Sequence, residues 1–260
     1  METAYDITPK TESLHKPLLV DYELLASLFE YPADQSYPAR IKEIHSHFSK
    51  CSPESAIAMK TFVEFTEISS LREMQELFLR SFDLQAITTL DIGFILFGED
   101  YKRGQLLVGL NQEHLAAGNP CNTELSDHLP NILRLLPKMK DFTMRDEIAT
   151  RLVIPAIVKM RDEFEAEKIE KKDEIYKKHL KVILDYSDQY RTVYQTLLQA
   201  LFVALKNDFG YEEAIELKPE VVCENPLSCS CSGADLAYTQ GIATPKDFSQ
   251  NIETEMLTEK

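Results

Sequence analysis

Leu180, Ile183, Leu184, Val193, Tyr194, Leu197, Leu198, Leu201, Phe202 and Leu205 mark a last strong helix whose apolar face stays wide over several turns. Such a helix belongs in a core, and other helices must pack around it. Nothing competes with that architecture: the chain has only eight glycines and no long alternating Val/Ile/Thr segment, while Leu, Glu, Lys and Ala recur in helix-compatible spacing. The expectation is an all-α, single-domain helical bundle.

Caps and periodicity place the other helices. Leu18, Tyr22, Leu25 and Phe29 form one stripe of a helix ending before Pro32. Ser52 and Pro53 make an N-cap and first-turn pair for a helix carrying Met59, Phe62, Val63 and Phe65 inward. Ser70 and Glu73 form a capping box ahead of Leu71, Met74, Phe78 and Phe82. The apolar run from Ile92 to Phe97 leads to a turn at Gly98, and a helix over about 100–117 stops at Gly118-Asn119-Pro120. Another spans about 127–136. A longer one carries Met144, Ile148 and Leu152 to Pro155, where the missing N–H kinks it or ends one helix and begins the next. Acidic and basic residues alternate over 161–178, the pattern of a solvated helical face or a projecting helix. Residues 211–260 hold ten acidic and three basic side chains, three prolines and little periodicity. The organisation expected is an arm over 1–16, a helical domain over 17–210 and a flexible acidic tail over 211–260.

The formal charge of −15 repels phosphate backbones and anionic lipid, so nucleic acid and membrane surfaces are disfavoured and basic ligands welcomed. No apolar run reaches the roughly 18 residues of a membrane span, and METAYDITPK has neither the basic head nor the apolar stretch of a secretory signal. A cytoplasmic protein is expected. Five cysteines without regular pairing fit a reducing compartment. Cys223, Cys229 and Cys231 cluster closely enough to ligate zinc or copper, but no CxxC accompanies them and no His follows, so reduced thiols in a flexible segment are the stronger of the two readings.

Polar groups concentrate at both ends of the stretch 97–130: Gly98-Glu99-Asp100-Tyr101-Lys102-Arg103-Gly104 and Glu124-Leu125-Ser126-Asp127-His128-Leu129-Pro130. Phosphate-loop, dinucleotide, nucleophile-elbow and zinc-protease signatures are absent, which makes an enzyme the weaker class. His45 and His47, two apart on a helix, point away from each other. Asp127 and His128 can together engage a peptide, a guanidinium or a proton; equally, Asp127 can be a plain N-cap with Pro130 in the first turn. Gly98 and Gly104 bracket either an anion loop or an ordinary turn, and Tyr101, Lys102 and Arg103 either a binding edge or a solvated turn with one aromatic tucked inward.

The run LFLRSFDL at 77–84, LFGEDYKRGQLLV at 96–108, the Gly118 turn and ELSDHLPNILRLL at 124–136 resemble, in that order, the NarJ-type assembly chaperones of respiratory nitrate reductase. These belong to the wider TorD/DmsD group serving molybdenum enzymes, and the ordered resemblance spans about 17–205. It implies a cytoplasmic, all-helical, non-enzymatic chaperone without a cofactor of its own. Its partner would be the apo catalytic, molybdopterin-binding subunit, held by its N-terminal twin-arginine segment or remnant until the molybdenum cofactor is inserted. A homodimer stays open. By similarity the family's E-x-P-D-H element maps onto Glu124, Asp127 and His128, with groove lining at Phe82, Asp83 and Leu84 and at Gly98, Asp100, Tyr101, Arg103 and Gly104. Ser126 stands where the family has proline, which removes a rigid lead into Asp127. A twin-arginine leader offers two guanidiniums and an apolar stretch, which Asp127 or Glu124 and an interhelical groove can accept. Two other classes stay in view: a regulatory adaptor binding a folded partner through 161–178 or the tail, and a metal-dependent hydrolase using Asp127 and His128.

Overall fold

The computed structural model describes residues 17–180 and 190–211. Among them there is no strand, only an isolated antiparallel bridge between Asp91 and His128. The helices are α1 (Tyr22–Ala26), α2 (Tyr37–Cys51), α3 (Pro53–Ala58), α4 (Lys60–Ile68), α5 (Leu71–Phe82), α6 (Ile92–Phe97), α7 (Tyr101–Ala116), α8 (Leu129–Leu135), α9 (Phe142–Glu147), α10 (Ile154–Asp162), α11 (Ala166–Leu180) and α12 (Val193–Phe209). The protein is all-α, and the described residues fall in one compact unit that runs to Glu213. The 1–16 arm, Ile183 and Leu184, the cysteine cluster and the acidic tail lie outside the described residues.

α12 is the central rod. Val193, Tyr194, Leu197, Leu198, Ala200, Leu201, Phe202, Ala204 and Leu205 are all buried, so it is apolar nearly all round. It packs against α3, α4 and α10, and Gly210 in the left-handed conformation ends it. Leu180 belongs instead to the end of α11. Near the end of α12, Asp208 accepts from the Leu19 N–H at 2.8 Å and from the Tyr22 hydroxyl at 3.0 Å, tying the first described residues to the last helix.

Three expectations need correcting. Leu18 is not on a helix: Asp21 caps α1 by accepting from the Leu24 N–H, and a 3-10 turn over Ser27–Phe29 completes the stripe. The helix after Ser52 breaks at Met59 into α3 and α4, although Met59, Phe62 and Phe65 are buried as expected. The Ser52 hydroxyl bonds to the Ser55 hydroxyl at 2.8 Å and does not cap the backbone. Of the two readings of the charged segment, a solvated face or a projecting helix, the first fits: its charged side chains within the described residues are exposed or half-buried while Phe164 and Ile169 are buried, and Lys172 bridges the Ile87 carbonyl and Glu163. The capping box at Ser70 and Glu73 is complete. At Pro155 one helix ends and the next begins, the second of the two outcomes expected: a π-helical turn over Ile148–Val153 follows α9, and α10 begins with Pro155 in its first turn.

Candidate functional site

A cleft of about 610 Å³ opens between two walls. One wall is aromatic. Phe29 closes the 3-10 turn after α1, Tyr31 follows it, and Phe78 and Phe82 come from α5. Their rings meet edge to face, with centroids 5.7 Å apart for Tyr31 and Phe78 and 5.3 Å for Phe78 and Phe82. Phe82 also lies 4.9 Å from the Tyr194 ring, which fixes the wall to the core helix. Gln75 donates to the Pro32 carbonyl at 2.8 Å, holding the turn after α1 against α5.

The other wall is polar and comes from Thr89, Leu90 and Asp91 and from the segment between Thr123 and Arg134. These two strips of chain are stitched together: the Ile92 N–H donates to the Asp127 carbonyl at 3.0 Å and the Leu129 N–H to the Leu90 carbonyl at 2.9 Å. The packing of α1 against α8 brings the two walls face to face. Four carboxylates line the space, Glu30, Asp83, Asp91 and Glu124, against Arg134 and His128. Arg134 is already engaged by Glu30 and Glu23, whereas Asp83 and Glu124 are exposed.

Beneath the polar wall, one guanidinium joins two acids. Arg103 donates from one terminal nitrogen to Asp91 Oδ2 at 3.0 Å and from Nε to Asp127 Oδ2 at 3.2 Å. The second Asp91 oxygen meets His128 Nδ1 at 3.0 Å. The His128 hydrogen bond and the nearby His128 and Arg103 charges outweigh partial burial and hold the Asp91 carboxyl below the usual carboxylate range. Asp127 moves the other way. Burial, then the Asp91 charge, raise its carboxyl against the pull of Arg103, and its Oδ1 is buried with no hydrogen-bond partner. Gly93 makes room for this acid, since a Cβ there would lie 2.6 Å from Asp127 Oδ2.

Ser126 and His114 anchor the segment from behind. The Ser126 hydroxyl donates to the Leu107 carbonyl at 3.2 Å, a bond that a proline at this position could not make. His114 is buried between the Ser126 carbonyl and Asn119, each about 3.1 Å away, and desolvation pushes its imidazole below the usual range. Asn119 extends the set to the Asn131 carbonyl and Lys138.

Of the residues singled out in sequence, Phe82, Asp83, Glu124 and His128 line this one cleft. Leu84, 53% exposed, follows directly at its edge. Asp127 needs correction on two points: its side chain is 0% exposed and cannot grip a guanidinium from outside, and the N-cap of α8 is His128. Arg103 serves from below. Gly98, Asp100, Tyr101 and Gly104 do not line the cleft. Gly98 ends α6 at φ +63°, Asp100 caps α7 by accepting from the Lys102 N–H at 2.9 Å, and Tyr101 is exposed instead of tucked inward. Asp91 and Glu30 are the functional groups that sequence reasoning missed. An Asp directly before an apolar run reads as an N-cap, but the Asp91 side chain makes no cap bond and turns to His128 and Arg103.

Among the described residues no group of three or more His, Cys, Asp or Glu side chains is placed to hold a metal ion, and no helix is long and apolar enough to cross a membrane. Compared with models of known protein families and with curated proteins, the chain matches none.

Proposed function

We propose that this protein is a system-specific chaperone for a molybdoenzyme. It binds the N-terminal twin-arginine segment, or its remnant, of the apo catalytic subunit of a respiratory nitrate reductase or a related enzyme, in the cytoplasm, and supports molybdenum cofactor insertion. Two things support this reading: the ordered sequence motifs, and a cleft lined by four carboxylates and an aromatic wall. The second carries it. Asp83 and Glu124 make no ion pair among the described residues and stand at the open side, so an incoming guanidinium meets carboxylates that no internal cation has neutralised. The aromatic wall offers an apolar segment a surface to lie on. Asp91 and Asp127, held by Arg103, stay out of the exchange and keep the polar wall in shape.

The test is co-purification. Tagged full-length protein, expressed beside the immature large subunit of a candidate molybdoenzyme, retains that subunit while it lacks cofactor and releases it once the cofactor is in. Retention that ignores removal of the subunit's N-terminal segment would defeat the proposal.

A further inference from the structure

A second cavity, of about 450 Å³, lies between the loop after α5, helix α6, the end of α10 and the first turns of α11. It shares only Thr89 with the cleft and carries the opposite charge. Ile87, Phe94 and Ile95 give it an apolar side, where 40% of Phe94 stays exposed. Lys159 of α10 and Lys168 and Lys172 of α11 stand around it. Two acids share the space. Glu163 takes Lys172 at 2.7 Å and Lys168 at 3.5 Å; burial raises its carboxyl, but these two lysines outweigh burial and hold it below the usual range. Asp162 has Arg161 3.8 Å away. One carboxylate therefore serves two ammonium groups, and Lys159 makes no ion pair among the described residues. Thr88 lines the same cavity and is 7% exposed. Its N–H donates to the Ser81 carbonyl at 3.0 Å, but its hydroxyl is buried with no hydrogen-bond partner. A hydroxyl left in that state costs stability until an acceptor reaches it.

We infer that this cavity binds a small organic anion, a carboxylate or a phosphomonoester on an apolar body of about one ring. Acids outnumber bases 43 to 28 along the chain, yet here the cations are in excess, which suits a ligand of the charge that the cleft would refuse. A lysine ammonium is a compact point charge with three donors. Lys172 spends two of them, on Glu163 and the Ile87 carbonyl, Lys168 spends one on Glu163, and Lys159 spends none. The donors left over take the anionic head, and the Thr88 hydroxyl gains in it the acceptor it lacks. The body of the ligand lies against Ile87, Ile95 and the open part of the Phe94 ring. The volume falls in the lower part of the roughly 300–1,000 Å³ common for small-molecule sites, which sets the size of that body. Nothing in this inference rests on the chaperone reading.

Four probes titrated into the full chain in phosphate-free buffer, and followed by ligand-observed NMR, test this: benzoate, phenyl phosphate, inorganic phosphate and benzyl alcohol. At least one of the two ring anions binds, and the tighter of them identifies the head group. Inorganic phosphate, which leaves the apolar side unused, and benzyl alcohol, which brings no charge, each bind at least about tenfold more weakly. Lys159→Gln and Thr88→Val each weaken the ring anion several-fold. Both variants keep the fold, since Lys159 is exposed and unpaired among the described residues and valine matches threonine in shape while removing a hydroxyl that has no partner; the unfolding midpoint of Thr88→Val is no lower than that of the wild type. No binding of either ring anion, equal binding of benzyl alcohol or inorganic phosphate, or an affinity unchanged in either variant would overturn the inference. Neither Lys159 nor Thr88 lines the cleft, so binding of a leader peptide is read separately and stands or falls by itself.

Discussion

Arg103 carries more of the cleft's structure than any other single side chain, because it neutralises one buried acid and one at the wall. Arg103→Ala leaves Asp127 sealed from water with neither oxygen partnered by a side chain, and the cost of an uncompensated buried charge is about 3 kcal/mol. Chemical denaturation at neutral pH reads that loss, and adding Asp127→Asn to the same chain recovers most of it. The pH dependence has a definite sign. The Asp127 carboxyl is raised in the fold, so its contribution is intact in acid and lost as pH rises through the folded value; the Arg103→Ala deficit therefore shrinks from pH 7 toward pH 5. Asp91 runs opposite. Its depressed carboxyl stabilises the fold above the unfolded value near 4 and stops doing so as pH falls further, so the gap between wild type and Asp91→Asn closes in acid. The sequence made Asp127 and His128 visible as a pair. Which of them faces the solvent is decided by Asp91, 37 residues upstream of His128, through a contact that no local pattern encodes.

At the scale of elements, local rules succeeded where a side chain answers to its own helix. The Ser70 and Glu73 capping box and the positive-φ stop at Gly118 follow from residues a few places apart. They failed where packing overrode periodicity, as at Met59, where one apolar stripe is divided between two helices. Gly93 and Gly109 separate the two influences. Both are helical, but a Cβ at Gly93 meets Asp127, Leu106 and Arg103 within 3.3 Å, whereas one at Gly109 meets nothing within 4 Å. Thermal unfolding of Gly109→Ala shows a gain of about 0.5–1 kcal/mol from helix propensity. Gly93→Ala loses about 1–3 kcal/mol despite the same propensity gain, because it overpacks the floor of the cleft.

Across the whole molecule, the central rod of α12 and the all-α architecture were legible because they rest on composition and period. The cleft was half legible. Phe82, Asp83, Glu124 and His128 came from motifs, while Glu30 and Tyr31 reach it only through the packing of α1 on α8 and the Gln75 bond to Pro32, and Asp91 through the backbone bonds that join Leu90 and Ile92 to Leu129 and Asp127. The net charge of −15 acts at this scale as well. Association with a cationic peptide slows and weakens as ionic strength rises and the Debye length falls from about 10 Å at 0.1 M toward 3 Å at 1 M, and stopped-flow rates at several salt concentrations measure that slope. The most direct test of the cleft is a fluorescence-anisotropy titration of a labelled peptide, two arginines followed by an apolar stretch, into the full chain and into the Asp83→Asn, Glu124→Gln double variant. The double variant, with its fold unchanged, binds at least about tenfold more weakly, since two charge-assisted contacts are lost. Equal affinity for both proteins, or no binding by the wild type, would contradict the account.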